Sequence, residues 1–488
     1  MDSLPFRFGS PTVFSRVREF FQTAGFDERT FTRMQAQLQR QPVPFGSPIP
    51  PDVPTGEFLI RLFNGSTACS ADFLRLACQE ALDDLLALGL VQQGRDCLLS
   101  ATVRVRPMFG LYVLSDLLPP GVLHDDFVLA PDDPNTLEYL SYIPMLPCGK
   151  FLEACGGSGI AGLAAVTHGA QQSYSSDIAP RSTAFARFSA ALSGIEGFHA
   201  LTGDAYQPVE GITFDRIALH PPYMPALNSH LLFHSGGQDG EQITRKHIVD
   251  LPGRLNPGGR LYCRCMGSDR TGSPYEQRIR EWLGDASPEY DVAVLATGYS
   301  DRSSFLVSAI HMNRTQSDGM DAWEAMFDRL QIECLVMTII VIQRRDCERP
   351  VFTVRREKGP HAGNRELEWL LQFETARAAR GHSLFLDSPL KASPAVALHT
   401  GLRKQAREWA ACSLKLEVSY PFPLQRQIDS ATAALLPQLD GKRTGREVYR
   451  SLANGQSTAA SEQEFAARLA DLAAGGFLFV DGLQPPAL

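Results

Sequence analysis

The chain has 488 residues, 44% of them hydrophobic and 20% charged, with a formal net charge of −8 at pH 7. That length exceeds one ordinary core and predicts about two to four domains. The acidic balance argues against a protein held mainly by phosphate contacts, although a local basic groove can sit on an acidic surface.

Residues 10–40 carry Phe14, Val17, Phe20 and Phe21 at helical spacing, and the Pro-rich segment 41–51 then breaks the chain as a linker or extended wrap. Between 58 and 128 the pattern is helix, helix, short strands. Phe73, Leu74, Ala77, Ala81, Leu82 and Leu85 form one apolar face, and strand-like runs follow at 97–99, 102–105 and 111–116. Two helices followed by a hairpin predict a winged-helix-like module, a fold that by itself carries no function.

From about 147 to 345, strands alternate with helices, which predicts a parallel sheet covered on both faces. Candidate strands lie at 150–154, 172–176, 199–202, 214–220, 259–266, 291–295 and 333–343, with a helix at 320–330. The run 334–342 is apolar on both faces and belongs in a covered position. Beyond 350 the reading is helices at 366–380 and near 394–412, a strand at 414–418, helices at 428–439 and 445–452, and a last stripe of Phe465, Leu469, Leu472 and Phe477. The domains expected are 1–145, 146–350 and 351–488, the outer two small α+β and winged-helix-like.

The ten cysteines contain no CxxC pair, and Cys263-Arg264-Cys265 sits inside an apolar run. Free thiols, no metal and a cytoplasmic location are expected. Asp2 in the first residues, with no apolar core of signal length, points the same way, and no apolar run is long enough for a membrane span.

The chemistry gathers at strand ends. Residues 151–160 read as a strand, the acid Glu153, then the turn Cys155-Gly156-Gly157-Ser158-Gly159 opening a small-residue helix. Glycine there lets a ligand approach the backbone at a helix N-terminus. Asp177, followed by Ile178, closes the next strand, where a carboxylate can accept both hydroxyls of a ribose. Asp204 and Ala205 follow the third strand, where an acid suits an adenine amino group. The strand at 214–219 runs into His220-Pro221-Pro222-Tyr223, a rigid stop because proline has no N–H and a fixed φ. The turn does not fit GxGxxG, so pairing of glycine turn and acid leaves NAD and S-adenosylmethionine open until the later strands are added.

With those strands included, the chain resembles the class I S-adenosylmethionine-dependent methyltransferases, in particular the HemK-like release-factor glutamine methyltransferases. The resemblance rests on Glu153 to Gly159, Asp177, Asp204, His220 to Tyr223, Gly236-Gly237-Gln238-Asp239-Gly240 and Leu255-Asn256-Pro257-Gly258-Gly259. It implies an α/β fold: a Rossmann-like seven-stranded methyltransferase domain flanked by the small winged-helix-like domains. It also implies S-adenosyl-L-methionine as cofactor, with S-adenosyl-L-homocysteine as product. Glu153, Cys155, Gly157 and Gly159 would meet the methionine part, Asp177 and Ile178 the ribose, Asp204 and Ala205 the adenine, with His220 beside them. His220, Pro221 and Tyr223 would be catalytic, with Pro222, Tyr223, His234 and Asp239 facing the acceptor; Tyr206 and His230 are further acceptor candidates.

The family clamp begins with Asn or Asp, and His220 departs from it. A neutral imidazole can accept one bond from a nitrogen nucleophile, or act as a general base toward a hydroxyl. The acceptor expected from the resemblance is a peptide, protein or amino-acid-derived molecule, with natural-product biosynthesis as a setting, and N-methylation is favoured over O-methylation with His220 as general base. A nucleic-acid methyltransferase and a non-catalytic cofactor-binding scaffold stay open. Residues 414–482 are similar to PqqD-like peptide-binding domains, which implies docking of a peptide; a dimerisation role for that domain is the alternative.

Overall fold

In the computed structural model, residues 4–119, 122, 124–227, 232–311, 319–405, 408–453 and 461–486 are described. The centre is one mixed sheet of β1 (Cys148–Ala154), β2 (Ala170–Asp177), β3 (Phe198–Thr202), β4 (Phe214–Leu219), β5 (Leu255–Arg270), β6 (Tyr290–Asp301), β7 (Ile332–Arg344) and β8 (Thr353–Glu357). The order across the sheet is β3-β2-β1-β4-β5-β7-β6-β8. All neighbours are parallel except β7, which runs antiparallel to both β5 and β6.

The sheet has eight strands where seven are expected from the sequence. The eighth, Thr-Val-Arg-Arg-Glu, is a charged edge strand with no apolar run to announce it, and it pairs with β6 from beyond residue 350. β7 lies between two strands with Val336, Ile339, Ile340, Val341 and Ile342 all buried, as its two-faced apolarity requires. Four helices bear on the site: α1 (Pro134–Ser141), α2 (Ile160–Thr167), α3 (Pro180–Ser193) and α4 (Gln242–Val249).

The front module runs helix Thr55–Leu62, strand Thr67–Cys69, helices Ser70–Leu76 and Gln79–Ala87, then strands Val91–Gln93 and Leu98–Ala101, the strands forming one three-stranded sheet. Its core is continuous with Phe185, Phe188 and Leu192 on α3, and the buried ion pair of Arg181 with Asp116 fastens it there. The module is thereby bound to the helix behind Asp177.

Two expectations for the C-terminal part fail. The helix near 394–412 is a hairpin, Val396–Gln405 antiparallel to Glu408–Val418. Leu398, Thr400 and Leu402 recur at every second residue, and the ladder to the strand Glu408–Val418 overrides the helix-forming Ala, Lys, Arg and Glu around them. The stretch 428–439 is split: Leu424–Ile428 is a strand, and the helix Ser430–Leu435 starts only where Asp429 caps it, accepting the Thr432 amide at 2.7 Å. Helices Asn364–Arg380, Gly445–Ala453 and Glu462–Ala474 agree with the sequence reading. Among the described residues, no helix is long and apolar enough to cross a membrane.

Candidate active site

The site is assembled at the carboxyl ends of β1, β2, β3 and β4. Glu153, 3% exposed, closes β1 and turns back under α2, where its two oxygens accept the amides of Ala161 at 3.1 Å and Gly162 at 2.9 Å. An acid at a helix N-terminus satisfies donors that the helix cannot satisfy itself. Burial nonetheless pushes its pKa up to about 7, against the opposing pull of those amide bonds. Gly157 has φ 52° with open space where a side chain would stand, and its amide donates to Asp177 at 2.9 Å. That bond ties the glycine turn to the end of β2.

Asp177 also accepts the Ala179 amide at 2.9 Å, and its pKa is raised by burial. Beside it Ile178 is 58% exposed, an apolar surface next to the acid. Asp204, half exposed, forms an ion pair with Lys246 on α4, and Ala205 follows with φ 49°. Cys155, at φ 54°, brings its sulfur within 3.9 Å of the His247 ring, also on α4. Tyr206 is buried edge-on against His247 and under Arg254.

After β4 the chain stops at the two prolines, Pro221 buried and Pro222 half-buried. His220 is held in an aromatic stack: Tyr139 of α1 lies on one side, centroids 4.9 Å apart and planes at 27°, and Tyr223 follows at 5.8 Å and 23°. Among the described residues its ring nitrogens take no hydrogen bond. Protein surrounds the ring on most sides while part of its surface stays open. Burial first, then the positive charge of Arg264, lowers its pKa to about 3.

Tyr223 accepts a hydrogen bond from Arg264 of β5 at 2.8 Å, and the guanidinium also stands 5.6 Å from its ring centre. Arg264 in turn donates to Glu138 at 2.6 and 3.1 Å and to Asn135 at 3.1 Å, both on α1, and Glu138 accepts from Lys358 at 3.0 Å. α1 thus sits over the clamp, pinned through Glu138 and touching His220 through Tyr139. The segment containing Asp239 backs the clamp from the other side: a Cβ on Gly236 would stand 2.8 Å from the Tyr223 Cα, and one on Gly240 would stand 2.5 Å from its carbonyl oxygen. Only glycine permits that approach.

Asp239 itself is buried, one oxygen accepting the Glu241 amide at 3.0 Å and the other accepting from Arg270 at 2.9 Å. The carbonyl of His234 accepts the Met224 amide at 3.1 Å, which returns the loop beside the clamp. His230 lies outside the described residues. The sequence reading missed Asn135, Glu138, Tyr139, Arg264 and Lys358. A signal existed for one of them: Arg264 is a lone cation in an apolar strand, and a buried cation needs a partner.

No family model matches the chain. Over 114 residues it is 32% identical to a candidate protein N5-glutamine methyltransferase of Methanocaldococcus jannaschii, covering 22% of this chain and 57% of that protein. Over 151 residues it is 28% identical to the ribosomal RNA small subunit methyltransferase C of Alcanivorax borkumensis, covering 31% and 40%. The chain thus spans about half the length of the curated relatives it matches. Among solved structures, a ribosomal protein L11 methylase from Lactobacillus delbrueckii overlaps 43% of this chain and 77% of its own at 17% identity and TM-score 0.25. An S-adenosylmethionine-dependent methyltransferase from Agrobacterium tumefaciens overlaps 50% and 70% at 16% identity and TM-score 0.31. The strand order, not these superpositions, defines the fold. That order, with β7 the one antiparallel strand, is an open doubly wound α/β sheet, and the sequence matches are to methyltransferases.

Proposed function

We propose that this chain is an S-adenosylmethionine-dependent methyltransferase that N-methylates a peptide, protein or amino-acid-derived acceptor held at His220–Tyr223. One observation supports it above the others: the turn at Glu153–Gly159, Asp177, Asp204 and the His-Pro-Pro-Tyr stop lie on successive ends at one edge of the sheet. The residues present fit the cofactor. Gly157 faces open space, Asp177 and Asp204 offer acceptors for ribose and adenine, and Ile178 offers an apolar face.

The cofactor supplies a methyl group on a sulfonium, so transfer is an in-line displacement in which alignment matters more than acid–base chemistry. The Tyr223 ring and the prolines would fix the plane of the acceptor. His220 is a neutral imidazole at physiological pH and a weak base, because its pKa is held near 3 by burial and by Arg264. It can accept a hydrogen bond from an N–H and orient the nitrogen lone pair, whereas deprotonating a hydroxyl asks for a base poised near 7. This favours nitrogen over oxygen as the acceptor atom. The relative named as a protein N5-glutamine methyltransferase agrees with an amide nitrogen. The C-terminal part after β8, which itself belongs to the central sheet, is read as the accessory domain that presents the acceptor, and the helix and strand order of the front module supports a winged-helix reading.

Calorimetry with S-adenosylhomocysteine, followed by labelled-methyl assays on peptide, free amino-acid and RNA pools, tests this. Micromolar binding that falls about 100-fold in Asp177→Ala is expected, since bonds to a charged group are worth about 1.5–3 kcal/mol each, with label entering the peptide pool. No binding by the intact protein removes the reading, and label in RNA alone replaces the acceptor class.

A further inference from the structure

The strand Val396–Gln405 is the outer member of a three-stranded sheet that continues through Glu408–Val418 to Leu424–Ile428. It pairs with Glu408–Val418 on one side, and among the described residues its other edge, 10 residues long, has no strand beside it. Such an edge offers a row of N–H and C=O groups to any strand that fits it. One face of this sheet is apolar, and its cover is uneven. Near the Val396 end, Leu416 and Val418 are buried in the core that also holds Leu469 and Leu472. Along the outer edge and toward the Lys404 end the same face is bare, with Leu398 47%, Leu402 56% and Trp409 66% exposed. Apolar side chains gathered on one surface, rather than scattered singly, mark an interaction site.

The edge is complementary to itself. A second copy laid antiparallel about a two-fold axis through Thr400 sets Leu398 against the partner's Leu402, and the symmetry repeats that contact on the other side of the axis. Ala397 then faces the partner's Arg403, and Ala397 already stands opposite Glu417 in the ladder. Glu417 is 40% exposed and meets the His399 ring at 3.1 Å, so an arginine reaching across the small alanine arrives at a carboxylate beside water. Like charges do not meet: the partner's Lys404 falls opposite Val396, and the partner's Gly401 falls opposite His399. Sliding the pair by two residues in either direction sets His399 against an arginine or against a second histidine. The antiparallel arrangement also lays the bare end of each apolar face beside the covered end of the other.

We propose that the outer edge of Val396–Gln405 is a homodimer interface, through which two copies of this chain join their three-stranded sheets into one continuous sheet.

Sedimentation velocity of the full chain between about 1 and 100 μM tests it, because an interface built on one strand edge belongs with the smaller and weaker associations. A shift from one copy to two with rising concentration is expected. The double variant Leu398→Lys, Leu402→Lys places like charges directly across the axis and should remain monomeric. Both positions are exposed, so its melting temperature at the dilute end should match the wild type. A wild-type chain that stays monomeric throughout overturns the inference, and so does a dimer that survives the double variant. Thr400→Cys gives a test independent of that variant. Residues directly opposite on antiparallel strands stand about 4.5–5.5 Å apart at Cα, within disulfide reach, so mild oxidation should link two copies through the introduced thiol, identified by mass spectrometry. Ala397→Cys faces the partner's Arg403 and should not link through its own new thiol. Links through both introduced thiols alike, or through neither, overturn the pairing.

Discussion

The two halves of the site are built differently. On the donor half, β1 to β3, the backbone bonds of the first two acids are short in sequence: Glu153 reaches the amides of Ala161 and Gly162, and Asp177 reaches Gly157 and Ala179. There α4 reaches in from farther along the chain, through Lys246 to Asp204 and His247 to Cys155. On the acceptor half, the Tyr223 bond to Arg264 spans 41 positions, the Arg264 bond to Glu138 spans 126, and the Lys358 bond to Glu138 spans 220. A turn that binds a common cofactor can be made by one strand–loop–helix unit. The stretch proposed to align the acceptor is bound instead by side chains brought from three places in the chain.

The largest test of this division is Arg264→Met. Arg264 is 5% exposed on its side chain and serves Tyr223, Glu138 and Asn135 at once. Removing one partner of a buried pair costs about 3–5 kcal/mol. Glu138 keeps 26% of its side chain in solvent and retains Lys358, so about 2 kcal/mol is expected from urea unfolding. Turnover should collapse while S-adenosylhomocysteine affinity changes by less than about threefold, or ~0.6 kcal/mol. If affinity falls as far as turnover, the halves do not act separately. The double variant with Glu138→Gln should recover part of the stability, since the stranded carboxylate is gone.

A smaller effect is expected at His220. Its pKa is lowered by burial and by Arg264, so the sign follows the depressed case: its stability contribution is complete above the unfolded value of about 6.5 and is lost as pH falls toward 3. Between pH 7 and 9 it does not titrate in the folded protein. His220→Asn should therefore keep methylation of an amide acceptor within about tenfold, ~1.4 kcal/mol in barrier, with the same shape of pH–rate profile. A limb between pH 6 and 7 that vanishes on substitution would make His220 a general base and return oxygen acceptors to consideration.

The same division governs what could be read before the structure. Glu153, Gly157 and Asp177 each sit at a strand end with their partners nearby, Asp204 sits at the next strand end with its partner Lys246 on α4, and periodicity finds strand ends. β7 was legible because a strand covered on both faces has no polar side to hide it. β8 was not, because Thr353–Glu357 carries three charged residues and gains its place only from β6. The pair Val396–Gln405 and Glu408–Val418 escaped for a related reason: each strand is held by the other, and Ala, Lys, Arg and Glu favour helix locally. Tyr139 and Glu138 are adjacent in a helix whose sequence says only that one residue is apolar and the next is not. Nothing local says that one meets a histidine and the other an arginine.

Lys358 gives the smallest and finest test. It follows directly on β8, outside the stretch that the sequence marks as the methyltransferase, yet it donates to Glu138 and stands 5.6 Å from the centre of the Tyr142 ring. Its side chain is 32% exposed and that of Glu138 is 26% exposed, so solvent screens the pair and about 0.5 kcal/mol of stability is at stake. Lys358→Met preserves the packing of the stem and removes the charge. If α1 is held over the clamp partly from β8, KM for the acceptor should rise about twofold, ~0.4 kcal/mol, with cofactor affinity unmoved. An unchanged KM would confine the acceptor half to α1, β4 and β5, and leave β8 as an edge strand that serves the sheet alone.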